Sequence, residues 1–482
     1  MREITSMLAI GILFGVVSPQ SAIAQSTAQT MSPPSASVDA IAYQQSVQRG
    51  AQAVIWGIPL VAMQAFRESA VSELGATFND IIYMSQPPAP RQAFLTPTNE
   101  TPYVMLMLNT GDGPVVVEIP PASKTTLFFG TLADAWQLPL TDVGPSGEDA
   151  GKGGKYLFLP PDYKGDVPTG YFVFRANTTH LYAALRPVSI NGGTLAQAVA
   201  YSQTLKAYPL AQAAAPPPNR YIDASPKKWN TLPQYDLSYF KLLSAAINDE
   251  PVQTRDLAMM GLLSSLGINK GQPFNPDPSA AKALTQAASD GYDQMQQYFI
   301  TPSKSFAPMW PGNQWQVFNV PRDQMVAGFP FETPDRLMID ERAGGYFGLA
   351  FFPKTLGKAS FYLIGLRDQT GMLFDGKSTY RLRVPKDVPA AQFWSATVYD
   401  MKTKAMFANA DRVSISSTQK SDLKVNADGS IDIYFGPKAP TDLASNWIPT
   451  GNDFFLWFRL YGPEERLFTK SWMLPDVERV AQ

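Results

Sequence analysis

Two blocks of short apolar segments, separated by a helical stretch, constrain the fold more than any other feature of the sequence. Between about 94 and 187, and again beyond about 358, short apolar runs are bounded by Gly, Pro, Asn and Asp. Runs with a period of two between turn residues are typical of antiparallel strands. From about 194 to 300 the apolar spacing is three and four, as in helices. The sequence therefore predicts two β-sandwich domains on either side of a helical domain.

Composition removes several classes of chemistry before any motif is considered. The chain has 482 residues, no Cys and a single His, which is His180. Without Cys it forms no disulfide, thiolate nucleophile or iron–sulfur cluster, and a single imidazole rules out a histidine-rich metal site. A net charge of −2 without a basic patch gives no basis for nucleic acid binding. We therefore predict no cofactor, no metal site and no nucleic acid partner.

The first 37 residues have the pattern of an export signal and a lead-in. Arg2 precedes an apolar run at 7–17, and Ala22-Ile23-Ala24 supplies the small-x-small pattern that signal peptidase cleaves. The apolar run is too short to span a bilayer, which needs about 20 residues. We predict a signal peptide over 1–24 with cleavage after Ala24, a disordered lead-in over 25–37, and a periplasmic or secreted protein without membrane insertion.

A helix is predicted directly after the lead-in. Ser37 is a typical N-cap residue. Apolar residues then recur at spacings of three and four: Tyr43, Val47, Ala51, Val54 and Ile58. Gly57 and Pro59 follow. Because proline removes a backbone donor and clashes with the preceding turn, the helix is expected to kink or end there.

Three groups of motifs resemble a known pairing of families. The first lies at the end of the opening helix, the second spans the first strand block, and the third is C-terminal. The motifs are WGIPLV (56–61); TPTNET (96–101), TLADAW (131–136) and GGKYLFLPP (153–161); and FWS (393–395), YFGP (434–437), SNWIP (445–449) and RLYGP (459–463). Together they resemble bacterial exported proteins that pair the domain-of-unknown-function families 1254 (N-terminal) and 1214 (C-terminal).

The resemblance implies a mainly β fold with a helical domain: an N-terminal immunoglobulin-like β-sandwich, a central α-helical domain and a C-terminal jelly-roll β-sandwich. The limits that we predict are 38–193 for the first helix and sandwich, 194–335 for the helical domain and linker, and 336–482 for the jelly roll. The resemblance implies no established activity or cofactor. One motif departs from the usual family pattern Asn-x-Asp-Thr, because this chain has Asn99-Glu100-Thr101-Pro102. A functional role for that Asp is therefore in doubt here.

Polar residues on or beside two strands of the first block are candidates for chemistry. Alternation along the strand places His180, Tyr182 and Arg186 on one face, which either lines a groove or is the solvated side of a sheet. Asp134 stands beside Trp136, and the pair suits acid–base catalysis, or sugar binding by a hydrogen bond and ring stacking. The alternative is that Asp134 caps backbone amides while Trp136 packs in a domain interface.

The TPTNET loop supplies two further candidates, Asn99 and Glu100. Polar residues in loops between elements often carry function. Glu100 together with Asp134 could form the paired carboxylates of glycoside hydrolysis.

One face of the last long strand mixes aromatic rings with a cation. Trp457 and Arg459 share this face with Phe455 and Tyr461. An Arg among aromatic rings suits recognition of a carboxylate or a sugar. It suits a domain or subunit interface equally well.

The leading prediction is an extracytoplasmic protein that binds a small molecule or saccharide in a cleft between the first sandwich and its neighbours. Asn99, Trp136, Arg186, Trp457 and Arg459 are the predicted ligand-binding residues. The alternative is a cofactor-independent hydrolase or lyase that uses Asp134, Glu100, His180 and Tyr182 as its acid–base residues. A structural or assembly protein that forms homo-oligomers is the third possibility.

Overall fold

The computed structural model describes residues 37–301, 305–318, 331–355 and 357–480. The predicted signal peptide, and the predicted lead-in up to residue 36, lie outside the described residues. Helices and strands each make up 28% of the structure. The chain is therefore mixed α and β, whereas the sequence predicted a mainly β protein. The predicted sheets are present, but helical segments occupy as much of the chain as strands do.

Several helices begin directly after a residue whose side chain caps a free backbone amide. The side chain of Ser37 accepts a hydrogen bond from Ala40 N, as its N-cap position predicts. Asp277 accepts one from Ala280 N, directly before Pro278 in the first turn. The helices are α1 (Val38–Leu74), α2 (Leu195–Ser202), α3 (Leu237–Asp249), α4 (Leu257–Ser264), α5 (Pro278–Ile300), α6 (Ile339–Gly348) and α7 (Glu465–Phe468).

The first helix runs on through Pro59 rather than ending there, although a proline inside a helix costs about 3 kcal/mol. Carbonyl groups beside the proline have partners from outside the helix. Arg342 Nη2 donates to Trp56 O at 2.7 Å, and Gln137 Nε2 donates to Pro59 O at 3.0 Å. Almost every residue from 50 to 66 is buried. Tertiary packing therefore outweighs the local penalty that the sequence pattern emphasised.

The first strand block forms two large sheets that pack face to face and one separate two-stranded sheet. Its strands are β1 (Ile81–Tyr83), β2 (Gln92–Ala93), β3 (Val104–Asn109), β4 (Val115–Ile119), β5 (Thr126–Asp134), β6 (Pro139–Val143), β7 (Gly154–Leu159), β8 (Phe172–Arg175), β9 (His180–Ser189), β10 (Lys206–Pro209), β11 (Tyr221–Asp223) and β12 (Trp229–Asn230). The larger sheet has the order β11-β1-β3-β9-β5-β6, and the smaller one β10-β4-β7-β8. Leu106 and Leu181 of the larger sheet share a core with Val117 and Phe158 of the smaller one.

The second strand block repeats this arrangement. Its strands are β13 (Phe306–Pro308), β14 (Trp315–Phe318), β15 (Glu332–Thr333), β16 (Arg336–Leu337), β17 (Ser360–Gly365), β18 (Thr379–Val384), β19 (Ala390–Asp400), β20 (Ser414–Ser416), β21 (Ile431–Gly436), β22 (Trp447–Pro449), β23 (Phe454–Pro463) and β24 (Glu478–Val480). The larger sheet has the order β13-β14-β17-β23-β19-β20, and the smaller one β22-β21-β18-β24. Leu456 and Phe458 share a core with Leu382 and Ile433.

The remaining faces of the two larger sheets meet the helices in one central core. Met107 and Tyr182 enter this core from the first block, and Tyr399, Phe455 and Trp457 enter it from the second. Side chains of α1, α3, α5 and α6 fill the space between them. Residues 42–482 accordingly form one compact unit. In the two larger sheets, most side chains that alternate away from the sandwich core therefore face helices and each other instead of solvent.

Several hydrogen bonds join the TPTNET loop to the second block, and removal of the one from Tyr399 tests its contribution. Tyr399 on β19 donates its buried hydroxyl to Pro97 O at 2.5 Å. We expect Tyr399→Phe to lower the free energy of unfolding by about 1 kcal/mol, because a buried carbonyl loses its donor. Urea unfolding measures this change. Tyr163→Phe is the control, since that hydroxyl donates to Asp166 O at an exposed site. Equal losses in both variants would contradict the assignment.

Candidate functional site

A cavity of about 610 Å³ lies in the central core. Its volume falls within the range of small-molecule sites, about 300–1,000 Å³. The walls come from α1, α5, α6, both larger sheets and the connecting stretches near 94–97 and 349–353. Most of the lining is apolar or aromatic, and it includes Ile58, Met63, Phe66, Phe94, Tyr235, Tyr292, Phe318, Tyr346, Phe347, Phe351, Phe352 and Phe361. The polar lining includes Thr96, Tyr103, Arg186, Tyr362, Lys404 and Arg459.

Two guanidinium groups stand in the cavity wall. Arg186 Nη1 donates to the hydroxyl of Tyr362 at 2.8 Å, and Arg459 Nη2 donates to Thr96 O at 2.8 Å. Arg459 is 1% exposed, and its guanidinium lies 5.0 Å from the centre of the Tyr362 ring. Within the described residues neither arginine forms an ion pair with a carboxylate. Buried charges are normally paired, so this end of the cavity carries positive charge that the chain does not neutralise directly.

Several buried polar atoms beside these arginines have no hydrogen-bond partner in the described part of the chain. They are Ser395 Oγ, Thr397 Oγ1, Trp457 Nε1, Arg459 Nη1 and Tyr461 OH. The strand register pairs Ser395 with Arg459 and Thr397 with Trp457, so the atoms belong to one patch of the sheet. All of them can donate, and buried donors are normally paired. Of these residues only Arg459 lines the cavity, so its Nη1 is the donor placed to meet a ligand there, while the predicted ligand-binding residue Trp457 lies in the adjoining core.

The pKa values of two tyrosines reflect the positive potential at this end of the cavity. Burial, the largest influence, raises the pKa of Tyr362, but the charges of Arg186 and Arg459 outweigh it and lower that pKa overall. The pKa of Tyr103 stays raised by burial, although Arg186 acts against the shift. The hydroxyl of Tyr103 accepts a hydrogen bond from Thr98 N at 3.1 Å. An anion placed here would be stabilised by both guanidiniums.

The predicted residues Asn99 and Glu100 lie behind this wall and are not among the residues that line the cavity. Ser414 Oγ donates to Glu100 Oε1 at 2.6 Å. Burial raises the pKa of Glu100, and the hydrogen bond from Ser414 and the charge of Arg459 reverse only part of that shift. Asn99 Oδ1 is buried without a partner in the described residues. Glu100 is therefore a carboxyl group that interacts electrostatically with Arg459 without forming an ion pair with it.

Asp134 and Trp136 lie in a different buried cluster, next to α1. Asp134 Oδ1 accepts hydrogen bonds from the backbone amides of Trp136 and Leu138, both at 2.9 Å. The Trp136 ring packs against Trp56 at 4.8 Å, and the Arg342 guanidinium lies 5.3 Å from its centre. Burial raises the pKa of Asp134 to about 7. This geometry is that of a carboxyl group that caps amides beside a packed indole, and neither residue lines the cavity.

His180 and Tyr182 also lie away from the cavity lining. His180 is 6% exposed, with Nδ1 at 2.7 Å from Glu250 Oε1 and Nε2 at 3.4 Å from Arg67 Nη1. Its ring stacks on Phe78 at 5.0 Å. Tyr182 is buried in the central core, and burial raises its pKa. The polar face of β9 is therefore covered by other parts of the chain rather than solvated, and only Arg186 of its predicted residues reaches the cavity.

Several polar residues of the cavity wall were not predicted from the sequence, among them Tyr103, Tyr362 and Lys404. Tyr103 directly follows the TPTNET loop, so proximity to that motif was a usable signal. Tyr362 alternates with Phe361 and Leu363, which marks it as facing away from the sandwich core. Nothing in the local pattern distinguishes Lys404, because its position depends on packing between distant elements.

Comparison with known families agrees with the motifs. Residues 78–209 match a family described as Protein of unknown function (DUF1254), and residues 359–465 match Protein of unknown function (DUF1214). The chain carries a DUF1254 region followed by a DUF1214 region. The predicted pairing and its order are therefore confirmed. Arg186 belongs to the DUF1254 region, and Tyr362 and Arg459 belong to the DUF1214 region, so the cavity is shared between them.

Solved structures show the fold alone. The crystal structure of the VPA0106 protein from Vibrio parahaemolyticus is similar with a TM-score of 0.54 and 18% sequence identity, over 90% of this chain and 100% of that one. A putative uncharacterized protein from Burkholderia cenocepacia gives a TM-score of 0.39 and 12% identity, over 92% of this chain and 96% of that one. No curated protein matches the sequence.

Two negative findings apply to the described residues only. No group of three or more His, Asp or Glu side chains is placed there to hold a metal ion. In the same part of the chain, no helix combines the length and apolar character that crossing a membrane requires.

Proposed function

We propose that this protein binds a small amphiphilic anion in the central cavity. The anionic group, a carboxylate or phosphate, lies on Arg186 and Arg459, and the apolar body lies among the aromatic side chains. The observation that carries the proposal is the buried guanidinium of Arg459, which lines the cavity and whose Nη1 has no hydrogen-bond partner among the described residues. Because one arginine comes from the DUF1254 region and the other from the DUF1214 region, the site needs both.

Electrostatics favours an anion over a neutral ligand. A buried guanidinium without a carboxylate partner is costly in a low-dielectric interior. A carboxylate that accepts from Arg459 Nη1 and from Arg186 would supply the missing charge and use the free donors. Hydrogen bonds to charged groups contribute about 1.5–3 kcal/mol each. The head group therefore provides both orientation and a large share of the affinity.

The apolar lining favours an amphiphile over a free saccharide. Sugar hydroxyl groups need several polar partners, whereas most of this wall consists of Ile, Met and Phe side chains and of tyrosine rings. Burial of a hydrocarbon chain there contributes about 0.8 kcal/mol for each CH₂ group. A medium-chain carboxylate fits this combination of a charged end and an apolar wall.

We also propose that the protein is exported and that its two pairs of sheets have the architectures implied by the family resemblance. The N-terminal pattern supports export, so that the ligand is met outside the cytoplasm. The paired sheets of the DUF1254 region correspond in this proposal to an immunoglobulin-like sandwich, and those of the DUF1214 region to a jelly roll. Both assignments rest on the family resemblance together with the strand orders given above.

Isothermal titration calorimetry with matched ligands tests the proposal. We expect decanoate to bind at about one molecule per chain, and decanol, which has the same body without the charge, to bind at least about tenfold more weakly. Glucuronate tests a hydrophilic sugar acid and is expected not to bind measurably. Equal binding of decanoate and decanol would contradict the anion site.

Arg186→Met provides the matched variant. Loss of one charge-assisted hydrogen bond is expected to weaken decanoate binding by about tenfold or more, with little change for decanol. Arg383→Met is the control, because Arg383 is exposed on β18 and pairs with Asp428 outside the cavity. Decanoate affinity that falls equally in both variants would point to a general charge effect and would contradict the assignment of Arg186.

A further inference from the structure

A buried lysine provides a second polar group on the cavity wall. Lys404 is 1% exposed and lines the cavity. Its Nζ lies 4.2 Å from the centre of the Phe347 ring and 4.9 Å from that of Phe299. It donates to Gln296 Oε1 at 2.5 Å and to Met401 O. No described carboxylate forms an ion pair with it.

This environment changes the chemistry of the amine. Burial lowers the pKa of Lys404 to about 7, although the Asp400 carboxylate opposes the shift. About half of the amine is then unprotonated near neutral pH, whereas an exposed lysine with a pKa near 10.4 is almost entirely protonated. An unprotonated amine in an apolar wall is nucleophilic, which is how lysines act on carbonyl compounds.

The backbone around this lysine is held in an unusual conformation. Lys404 and Thr96 have φ values of 61° and 42°, in the left-handed region that β-branched and long side chains rarely adopt. Thr96 N donates to Lys404 O at 2.9 Å, and Thr96 O accepts from Arg459. Thr96 thus ties the lysine segment to the arginine end of the cavity. Such strain persists where the surroundings fix it, often at functional sites.

We propose that Lys404 is a reactive amine that forms a reversible imine with an aldehyde or ketone group of the bound ligand. The inference rests on the proposed function, because the anion site on Arg186 and Arg459 holds the ligand in place. It narrows the ligand to an acid that also carries a carbonyl group.

The chemistry needs no other reactant. The Nζ lone pair attacks the carbonyl carbon, and the oxygen takes up a proton as the nitrogen loses one. The resulting carbinolamine loses its hydroxyl group as water, and a C=N bond remains. Hydrolysis returns the amine and the carbonyl compound, so no electron donor or acceptor is consumed.

Reductive trapping tests the inference with 4-carboxybenzaldehyde, which carries both a carboxylate and an aldehyde. The full chain is incubated with this probe and cyanoborohydride at pH 7, and peptide mass spectrometry locates each modified lysine. We expect Lys404 to be modified at least about tenfold faster than exposed lysines, because its amine is far less protonated. Excess benzoate is expected to slow the modification, and Lys404→Met to abolish it, whereas Lys438→Met, at an exposed site, leaves it intact.

The outcomes separate the inference from the proposed function. If calorimetry shows that the probe binds and Arg186→Met weakens it, but Lys404 reacts no faster than Lys438, the imine is overturned and the anion site stands. If the probe neither binds nor modifies Lys404, both are overturned. The site-resolved rates come from the wild-type chain, so the result does not depend on whether Lys404→Met folds.

Discussion

Replacing Arg459 with Met is expected to weaken decanoate binding by about 100-fold while changing the free energy of unfolding by no more than about 1 kcal/mol. The loss of affinity follows from the removal of a charged donor whose Nη1 has no partner in the described part of the chain. The small effect on stability follows because a buried guanidinium without a carboxylate partner is expensive to bury. Met fills much of the same volume without the desolvation cost of a buried charge.

Calorimetry and urea unfolding on the same preparations measure the two effects together. Arg381→Met serves as the control, because Arg381 pairs with Glu478 near the surface of the DUF1214 region. An Arg459→Met variant that binds decanoate as tightly as the wild type would remove Arg459 from the site. A variant that loses several kcal/mol of stability would show instead that the hydrogen bond to Thr96 O holds the two regions together.

The second large effect concerns the pH dependence of stability. Asp134 has an ordinary pKa of 3.8 when it is unfolded, and burial raises the pKa to about 7 in the folded chain. Between these values the unfolded chain ionises while the folded chain stays protonated. Asp134 therefore destabilises the fold progressively as the pH rises from about 4 to 7. We expect Asp134→Asn to match the wild type near pH 4 and to be more stable at pH 8 by up to about 4 kcal/mol.

The amide is a suitable replacement because both backbone hydrogen bonds end on one oxygen, Asp134 Oδ1, which Asn retains. Asp134→Ala leaves the amides of Trp136 and Leu138 without an acceptor and is expected to lose about 2 kcal/mol even near pH 4. Asp112→Asn, at an exposed turn, controls for the change in net charge. Unfolding curves for Asp134→Asn and wild type that stay parallel from pH 4 to 8 would contradict the shift.

The local sequence pattern predicted which helices and strands are present better than it predicted where they end. Alternation of apolar residues marked the strands of both blocks, and the choice of Ser37 as an N-cap agrees with the structure. The local pattern also predicted that α1 would kink or end at Pro59. The helix does not end there, and the sequence does not show that Arg342 and Gln137 donate to carbonyls beside that proline. Contacts of this kind join residues far apart in the chain, and no local spacing encodes them.

The residues of the candidate site were likewise predicted only in part. Arg186 was identified on the polar face of its strand and Arg459 among the aromatic rings of another, and both line the cavity. Asp134 and Trp136 form an equally suggestive pair in the sequence, but the structure uses them to cap a turn and fill the core beside Trp56. Their distance from the cavity depends on how α1 covers the first sheet, which one sequence does not reveal.

A crystal structure with a bound anion would show whether the anion lies on Arg186 and Arg459. Crystals soaked in 4-iodobenzoate would reveal the iodine by its anomalous scattering and the carboxylate by its contacts. We expect one iodine peak among the aromatic side chains of the cavity, with the carboxylate within hydrogen-bonding distance of Arg186 and Arg459. Iodine confined to the protein surface, at concentrations that saturate binding in solution, would contradict it.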